Sequence, residues 1–351
     1  MRIALLVLAC ACGRLDFDAR TSQTTGLQRK PIAITPGPTS LVDFPVAIVL
    51  TKDGDLAVGA RPDGSDLAFT AADGTTPLDF EIESYDGGTG ALVAWVREPS
   101  LTGPTTAYLY FGGTQTSHDP AATWPGCLGV WHMSGAGGEA DSTANAHSFG
   151  PPSGEVLPTS VPGVAGNARG FDGVTSGLAI PDPGDGSLDM ATRSYSVSMW
   201  VNMTSAAGQF DSPLYKGGGD DTTPGYDFEI GAHEWRSDIG DGTTATYVGL
   251  DNTTMFSGTW TQLVVVADRT TQLLNGYANG ALVQSVDIST IGSVSSTLDL
   301  QISDALDPFH GALDELRIFD HAIDLAWVAA DYENFADPSS FVTVGPAEPA
   351  P

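Results

Sequence analysis

The chain has 351 residues, too many for one typical domain and about right for two. With 41% hydrophobic residues it can bury a core, and its 42 Gly and 23 Pro are spread between short apolar runs, as in proteins built from many short strands. Its 43 acidic residues against 14 basic ones give a net charge of −29, which repels phosphate backbones and argues against nucleic acid as a partner. The acidity suits hard cations such as calcium, although solubility alone would also account for it.

The N-terminus has the pattern of an export signal. A short charged start precedes an apolar run at 3–11, far shorter than the roughly 20 residues that span a bilayer. Small residues end the run just before Cys12, and this arrangement resembles the lipobox of bacterial lipoproteins. The resemblance implies a signal peptide at 1–11 and an acylated Cys12, with Cys10 as the alternative; an ordinary secretory signal is the competing interpretation.

Lipidation would place the protein in the cell envelope, at the outer membrane or the cell surface, with the membrane as a partner through the N-terminal lipid. The polar residues 12–30 are then a flexible tether. Cleavage before Cys12 leaves Cys127 as the other cysteine of the mature chain, so no internal disulfide can form. Nothing in its sequence neighbourhood would activate Cys127, and we interpret it as a structural thiol.

Residues 31–122 have the pattern of a small antiparallel β-sandwich, because short apolar runs about ten residues apart are separated by Asp-Gly turns. The segment resembles a domain of unknown function from bacterial extracellular proteins, a family that often precedes a jelly roll and that implies no activity. The pieces that carry this resemblance, in order, are 43–46, 63–69, 80–83, 95–96 and 108–112.

Two acidic residues of this segment superficially echo the acidic strand of jelly-roll glycosidases. Glu81 and Glu83 share one face of a predicted strand, as a catalytic acid and a nucleophile require. They lie outside the jelly-roll segment, however, and no other part of an active site accompanies them. We interpret the pair as an exposed acidic face.

Residues 126–343 contain a second set of strands, with clean alternation at 195–201 and a last strand at 311–319. The segment resembles the laminin-G-like, concanavalin-A-like jelly roll. The resemblance rests on 129–132, 141–143, 171–173, 197–201, Trp260, 279–280 and 313–318. It implies two antiparallel sheets followed by one short helix, so the predicted fold is all-β.

The short C-terminal helix should begin after Asp324, which can cap its N-terminus. Leu325, Val328 and Tyr332 would form its apolar stripe. Residues 344–351 are expected to be a disordered tail.

The jelly-roll resemblance also implies one structural calcium ion. Asp314 matches the acid of the last strand, and Asp141 and Asp172 lie in the matching early segments. Backbone carbonyls and water would complete a shell of about six to eight oxygens. In the alternative interpretation, Asp314 pairs with Arg317 or caps a turn.

A ligand site is predicted from aromatic residues, because sugar rings stack on exposed aromatic side chains. The candidates lie in a Gly- and Asp-rich region and on the polar face of one strand: Tyr226, Trp235, Arg236, Tyr247 and Trp200. The alternative is that the aromatic residues fill the core, as Trp usually does in a sandwich.

No nucleophile elbow, phosphate loop or His-Glu-x-x-His motif is present, and the six histidines have no metal-ligand spacing. The sequence therefore predicts a non-enzymatic, envelope-anchored binding or adhesion protein that recognises glycan or protein. The alternatives are a glycoside hydrolase or lyase on the same fold, and a purely structural surface spacer.

Overall fold

The structure of the chain, a computed structural model, describes residues 26–37, 40–114, 117–204, 210–231, 234–251, 258–303 and 307–351. The export signal and both candidate lipidation sites, Cys10 and Cys12, lie outside the described residues. Within these ranges, no helix has the length and apolar character that a membrane crossing would need.

The N-terminal part folds into strands at the apolar runs of the sequence. Its elements are β1 Gln28–Ile34, β2 Leu41–Leu50, α1 Gly54–Gly59, β3 Ala68–Thr70, β4 Phe80–Asp86, β5 Ala91–Leu101 and β6 Thr105–Phe111. One sheet contains β1, β6 and β3, and a second has the order β2-β5-β4. The two sheets enclose a core in which Phe44, Phe69 and Phe111 are almost completely buried, so this part is the predicted small sandwich.

A short 3₁₀ helix at Pro120–Thr123 leads into the larger sandwich. Its strands are β7 Cys127–Trp131, β8 Thr159–Pro162, β9 Asn167–Asp172, β10 Leu178–Ile180, β11 Tyr195–Met203, β12 Phe210–Gly217, β13 Gly225–Gly231, β14 Glu234–Gly240, β15 Ala245–Asp251, β16 Thr261–Asp268, β17 Leu273–Ala278, β18 Ala281–Asp287, β19 Leu300–Ile302 and β20 His310–Phe319.

The described strands of the larger sandwich pair into two antiparallel sheets. The first, here called the front sheet, has the order β18-β17-β16-β11-β20-β9-β8, with β7 also paired to β20. The second, the back sheet, has the order β10-β19-β12-β13-β14-β15. The architecture is the predicted all-β, concanavalin-A-like sandwich.

Strand β11 shows how alternation positions the site. Val197, Met199 and Val201 point into the core between the sheets, so Trp200 points to the outer face of the front sheet. The pairing of β11 with β20 shifts register between Ser198 and Trp200. At this bulge Glu315 has a positive φ of 49°, and both Asp314 and Glu315 are excluded from the apolar core.

The chain ends with α2 Leu325–Ala336, α3 Pro338–Phe341, β21 Val342–Val344 and β22 Glu348–Pro349. The predicted cap is confirmed, because Asp324 accepts a hydrogen bond of 2.8 Å from the backbone N–H of Trp327. The predicted stripe holds only in part: Val328 is fully buried, whereas Leu325 is 51% exposed.

The boundaries predicted for the chain ends need correction. β21 and β22 both pair with β1, so the segment 344–351 is not a disordered tail. β1 itself begins at Gln28, inside the predicted tether 12–30. The physical reason is that β1 would otherwise present unpaired backbone groups, which the end of the chain satisfies. The small sandwich is therefore built from both ends of the chain and not from 31–122 alone.

Candidate functional site

The outer face of the front sheet is partly covered by the small sandwich and by α2. Trp95 of β5, Trp124, Trp200 and Phe335 of α2 pack together there in one buried cluster. Trp200, which was predicted to bind a ligand, is only 3% exposed and stacks on Tyr332 with ring centroids 5.8 Å apart. The prediction that Trp200 binds a ligand is therefore wrong, because this packing leaves its ring no free face.

Polar side chains lie inside the same interface, which we call the junction cluster: Glu81, Glu83, His132, Glu315, Arg317 and Asp331. Nδ1 of His132 lies 3.0 Å from Oε1 of Glu315 and 3.7 Å from Oε2 of Glu83. Nε2 of the same ring lies 3.3 Å from Oε2 of Glu81. Glu81 and Glu83 come from β4 of the small sandwich, whereas His132 and Glu315 belong to the larger one. The cluster therefore joins the two domains.

Arg317 forms the second half of the junction cluster. It donates from Nη2 to Oε2 of Glu315 at 2.9 Å and from Nη1 to Oδ1 of Asp331 at 2.8 Å. Gln262 donates to the other oxygen of Asp331 at 2.8 Å. The sequence alternative that paired Arg317 with Asp314 is therefore wrong, because the bulge directs Glu315 towards the arginine.

Two indoles line the cluster. The ring of Trp95 stacks on His132 at 5.4 Å and carries the guanidinium of Arg317 at 4.5 Å from its centroid. Trp124 lies 5.5 Å from His132, and its Nε1 donates to Oε2 of Glu81 at 2.6 Å. Flat apolar rings thus exclude water from groups that are charged, which strengthens every electrostatic interaction among them.

The surroundings shift the acid–base properties of these groups. Burial alone would lower the pKa of His132, but the carboxylates of Glu315 and Glu83 outweigh it and hold the pKa well above its ordinary value. Burial raises the pKa of Glu83 to about 7, against the opposing effect of His132. Burial would raise the pKa of Glu81, but His132 and the hydrogen bonds from Ser142 and Trp124 together lower it.

Glu81 and Glu83 were interpreted as an exposed acidic face, and the structure corrects this interpretation. Their side chains are only 14% and 3% exposed. The reason is that β4 lies against the front sheet, which a sequence of one strand cannot reveal.

Each of the three aspartates predicted to bind calcium accepts hydrogen bonds from backbone N–H groups near it. Asp141 accepts from the backbone N–H groups of Val130 and Thr143, at 3.1 and 2.9 Å. Asp172 accepts from Thr175 N–H at 2.8 Å within its own loop, and these hydrogen bonds, led by Thr175, lower its pKa.

Asp314 is fully buried and accepts a hydrogen bond of 2.7 Å from the backbone N–H of Val164. Burial, with the charges of Glu315 and Glu83, raises its pKa well above the ordinary value. The described part of the chain does not bring Asp314 together with the other two predicted ligands into one group of metal-ligating side chains. A calcium ion held by one of them with backbone oxygens stays a prediction.

The other predicted ligand-binding residues lie on or beneath the back sheet. Trp235 and Tyr226 are buried in the core, at 0% and 2% exposure, so the alternative of core filling applies to them. Arg236 and Tyr247 do reach the outer face of that sheet, where the guanidinium lies 5.7 Å from the ring centroid. Arg236 is held there by ion pairs to Glu229 and Asp238.

A groove of about 480 Å³ opens on the part of the front sheet that the small sandwich leaves uncovered. Trp260, which is half-buried, gives it an aromatic wall, and Asn202, Thr204 and Asp172 give it polar groups. Alternation along β11 places Asn202 on the same outer face as Trp200. A groove of this size with few polar groups has the properties of a small-ligand site.

Sequence reasoning missed both the groove and most of the junction cluster. In the sequence Trp260 carries a signal only as part of a family resemblance, and the spacing of Glu81 and Glu83 indicates an exposed acidic face. Contacts between segments far apart in the chain create both sites, and a single sequence carries no direct signal of such contacts.

Two family models match the chain. Residues 172–329 match the concanavalin A-like lectin/glucanases superfamily, and residues 63–131 match a domain of unknown function, DUF2341. The chain thus carries a concanavalin A-like domain with a domain of unknown function upstream, as the sequence resemblances implied. No curated protein matches the sequence.

Solved structures with the same fold include the binding domain of Paraclostridial Mosquitocidal Protein 1, with a TM-score of 0.50 and 10% identity over 60% of this chain. The binding domain of botulinum neurotoxin serotype G is similar with a TM-score of 0.49 and 12% identity, also over 60% of this chain. The matches span 53% and 51% of those two structures, about half their length. At such low identity the likeness concerns the fold alone.

Proposed function

We propose that this protein is a non-catalytic binding module that recognises a glycan, or a glycan-bearing protein, in the groove of the front sheet. The observation that carries the proposal is the groove itself: an open volume of about 480 Å³ in which Trp260 lies beside Asn202 and Thr204. Aromatic rings stack on the apolar faces of sugars, while amide and hydroxyl groups bond their hydroxyls.

The fold is consistent with this proposal but does not name the ligand, because unrelated functions share it. A mosquitocidal protein uses a sandwich of this fold as its binding domain. The paired acids that an enzyme would need, Glu81 and Glu83, are enclosed in the junction cluster and do not line the groove. We therefore favour binding over glycoside hydrolysis.

The test is a binding measurement on the protein without its export signal. Immobilised polysaccharides and a glycan array should retain the protein, and Asn202→Ala should weaken the binding about tenfold, as expected for one lost hydrogen bond. Trp260→Ala should weaken it further. Tyr247→Ala, on the back sheet, is the matched control and should bind like the parent protein. Equal losses in all three variants, or no retention on any glycan, would remove the proposal.

The proposal includes attachment to the cell envelope through a lipid on Cys12. Cells that express the full chain and receive a labelled fatty acid should transfer the label to the protein, and Cys12→Ser should abolish the label while Cys10→Ser retains it. The reverse result would assign the lipid to Cys10. An unlabelled protein released into the medium would mean an ordinary secretory signal.

A further inference from the structure

The junction cluster contains more negative than positive charge. The carboxylates of Glu81, Glu83, Glu315 and Asp331 all contact a cationic or imidazole side chain, whereas Arg317 supplies the single permanent positive charge of the cluster. Four carboxylates thus face one guanidinium and one imidazole in a region that excludes water. Such an excess in a low-dielectric interior is costly unless a cation compensates it.

The ring of His132 is oriented like that of a metal ligand. Its Nε2 faces Glu81, which is itself fixed by Ser142 Oγ at 2.7 Å and by Trp124 Nε1 at 2.6 Å. Histidines that bind metals commonly donate one ring N–H to a carboxylate, which leaves the other nitrogen to face the ion. Here the other nitrogen, Nδ1, faces the oxygens of Glu83 and Glu315. An ion at this point would have one imidazole nitrogen and two carboxylates as ligands.

The distances fit an ion. One ligand atom each from Glu83, His132 and Glu315 lies within 4.8 Å of the others. Bonds of about 2.0–2.2 Å to a tetrahedral zinc-like ion separate its ligands by roughly 3.3–3.6 Å, and Nδ1 of His132 lies 3.0 Å from Glu315 and 3.7 Å from Glu83, so movements of a few tenths of an ångström would seat it. Arg317 binds Oε2 of Glu315, and Oε1 and Oε2 lie 3.0 and 3.1 Å from Nδ1 of His132.

A second observation comes from Glu83. Its side chain is only 3% exposed. Oε2 faces His132 and accepts a hydrogen bond of 3.3 Å from Trp95 Nε1, whereas Oε1 has no hydrogen-bond partner among the described residues. A buried carboxylate oxygen without a partner normally indicates a missing ligand or proton. The backbone is also unusual here. Glu315 reaches the cluster from the bulge between β11 and β20, and its own φ is positive at that bulge.

We propose that Glu83, His132 and Glu315 bind one divalent transition ion of the zinc class, and that this ion clamps the small sandwich to the front sheet. One imidazole with carboxylates suits such ions better than calcium, which prefers oxygen ligands alone. The site is closed, so its role is structural, and it is independent of glycan binding in the groove.

The experiment uses the whole protein without its export signal, stripped of metal with a chelator and then titrated with Zn²⁺. Calorimetry and elemental analysis should give one bound equivalent, and Zn²⁺ should raise the melting temperature. Glu83→Gln keeps the shape of the side chain but should weaken Zn²⁺ binding at least tenfold and remove the melting shift. Glu98→Gln changes another buried glutamate of the small sandwich, 6% exposed and outside the cluster, and should leave both unchanged.

The proposal is overturned if no stoichiometric Zn²⁺ binds, if Glu83→Gln binds as tightly as the parent protein, or if Ca²⁺ raises the melting temperature and Zn²⁺ does not. X-ray absorption at the zinc edge of the parent protein decides the matter if the variant does not fold. One imidazole among oxygen ligands is expected. A shell without imidazole scattering would contradict the assignment.

Discussion

The indole of Trp95 contacts both His132 and Arg317, so one residue of the small sandwich makes two of the contacts across the interface. Arg317 lies in this contact with its side chain only 1% exposed and its charge divided between Glu315 and Asp331. Desolvated ion pairs of this kind contribute little net stability when complete but are costly to break. The arginine is therefore the residue of the junction cluster at which a single change should destabilise the fold most.

We expect Arg317→Leu to lower the free energy of unfolding by about 3–5 kcal/mol, because it leaves two buried carboxylates without their partner. Arg236→Leu is the matched control. Arg236 also pairs with two acids, but its side chain is 29% exposed, so its loss should cost up to about 1 kcal/mol. Urea unfolding at constant pH measures both. Similar losses in the two variants would contradict the difference in burial.

A second prediction concerns Glu98, whose pKa is raised by burial to about 7 from an ordinary 4.5. Between pH 4.5 and 7 the unfolded chain loses this proton while the folded chain keeps it, so the free energy of unfolding falls as the pH rises and then levels off. Glu98→Gln should remove this dependence and gain up to about 3 kcal/mol over the parent protein at pH 8. The variant should match the parent at pH 4.5.

Asp73 provides the control of opposite sign for that measurement. Hydrogen bonds, led by the one from the Thr76 hydroxyl, lower its pKa to about 2 from 3.8. Its contribution to stability is therefore present above pH 4 and is lost as the pH falls through 2. Asp73→Asn should destabilise the protein at neutral pH and make no difference at the acid end. Urea unfolding of both variants across the pH range measures the two effects. A pH dependence of the free energy of unfolding with the opposite sign in either variant would contradict the prediction.

At the scale of the element, the sequence predicted what local patterns encode. The strand at 195–201 alternates between faces in the structure as in the sequence, and Asp324 caps α2 through the first turn. Burial of whole aromatic side chains was less predictable, since Trp235 and Tyr247 lie in the same region of sequence and only one of them reaches the surface. Which side of a strand is covered depends on the neighbouring sheet, and local sequence does not record it.

The cap of α2 allows a prediction with a built-in control. Asp324→Ala removes the acceptor for the Trp327 N–H and should cost about 1 kcal/mol in the free energy of unfolding. Asp324→Asn keeps an oxygen in the same position and should cost only a few tenths of that, because Asn caps helices nearly as well. Denaturant unfolding distinguishes the two. A large loss in both variants would show that the charge, and not the hydrogen bond, is what matters.

At the scale of the whole molecule, the two domains are linked more closely than their order in the chain suggests. Asn334 of α2 bonds both backbone groups of Ala47 in β2, at 2.8 and 3.1 Å. Phe44, in the core of the small sandwich, contacts Trp327 and Phe341 with centroids 5.4 and 6.1 Å apart. The C-terminal segment therefore completes the core of the first domain, after the chain has passed through the entire second one.

Because of this linkage, we expect the N-terminal strand β1 to depend on the C-terminal strands β21 and β22 for its stability. A chain that stops at Phe341 loses β21 and β22, which pair with Ile32, Ala33, Ile34 and two earlier residues of β1. We expect the loss of these hydrogen bonds to cost about 2–4 kcal/mol and to speed deuterium exchange in 28–34, measured by mass spectrometry. Removing Pro351 alone is the control, because that residue belongs to no strand. If the shortened chain exchanges as slowly as the control, the tail is as dispensable as its composition suggested, and the pairing with β1 contributes nothing to the fold.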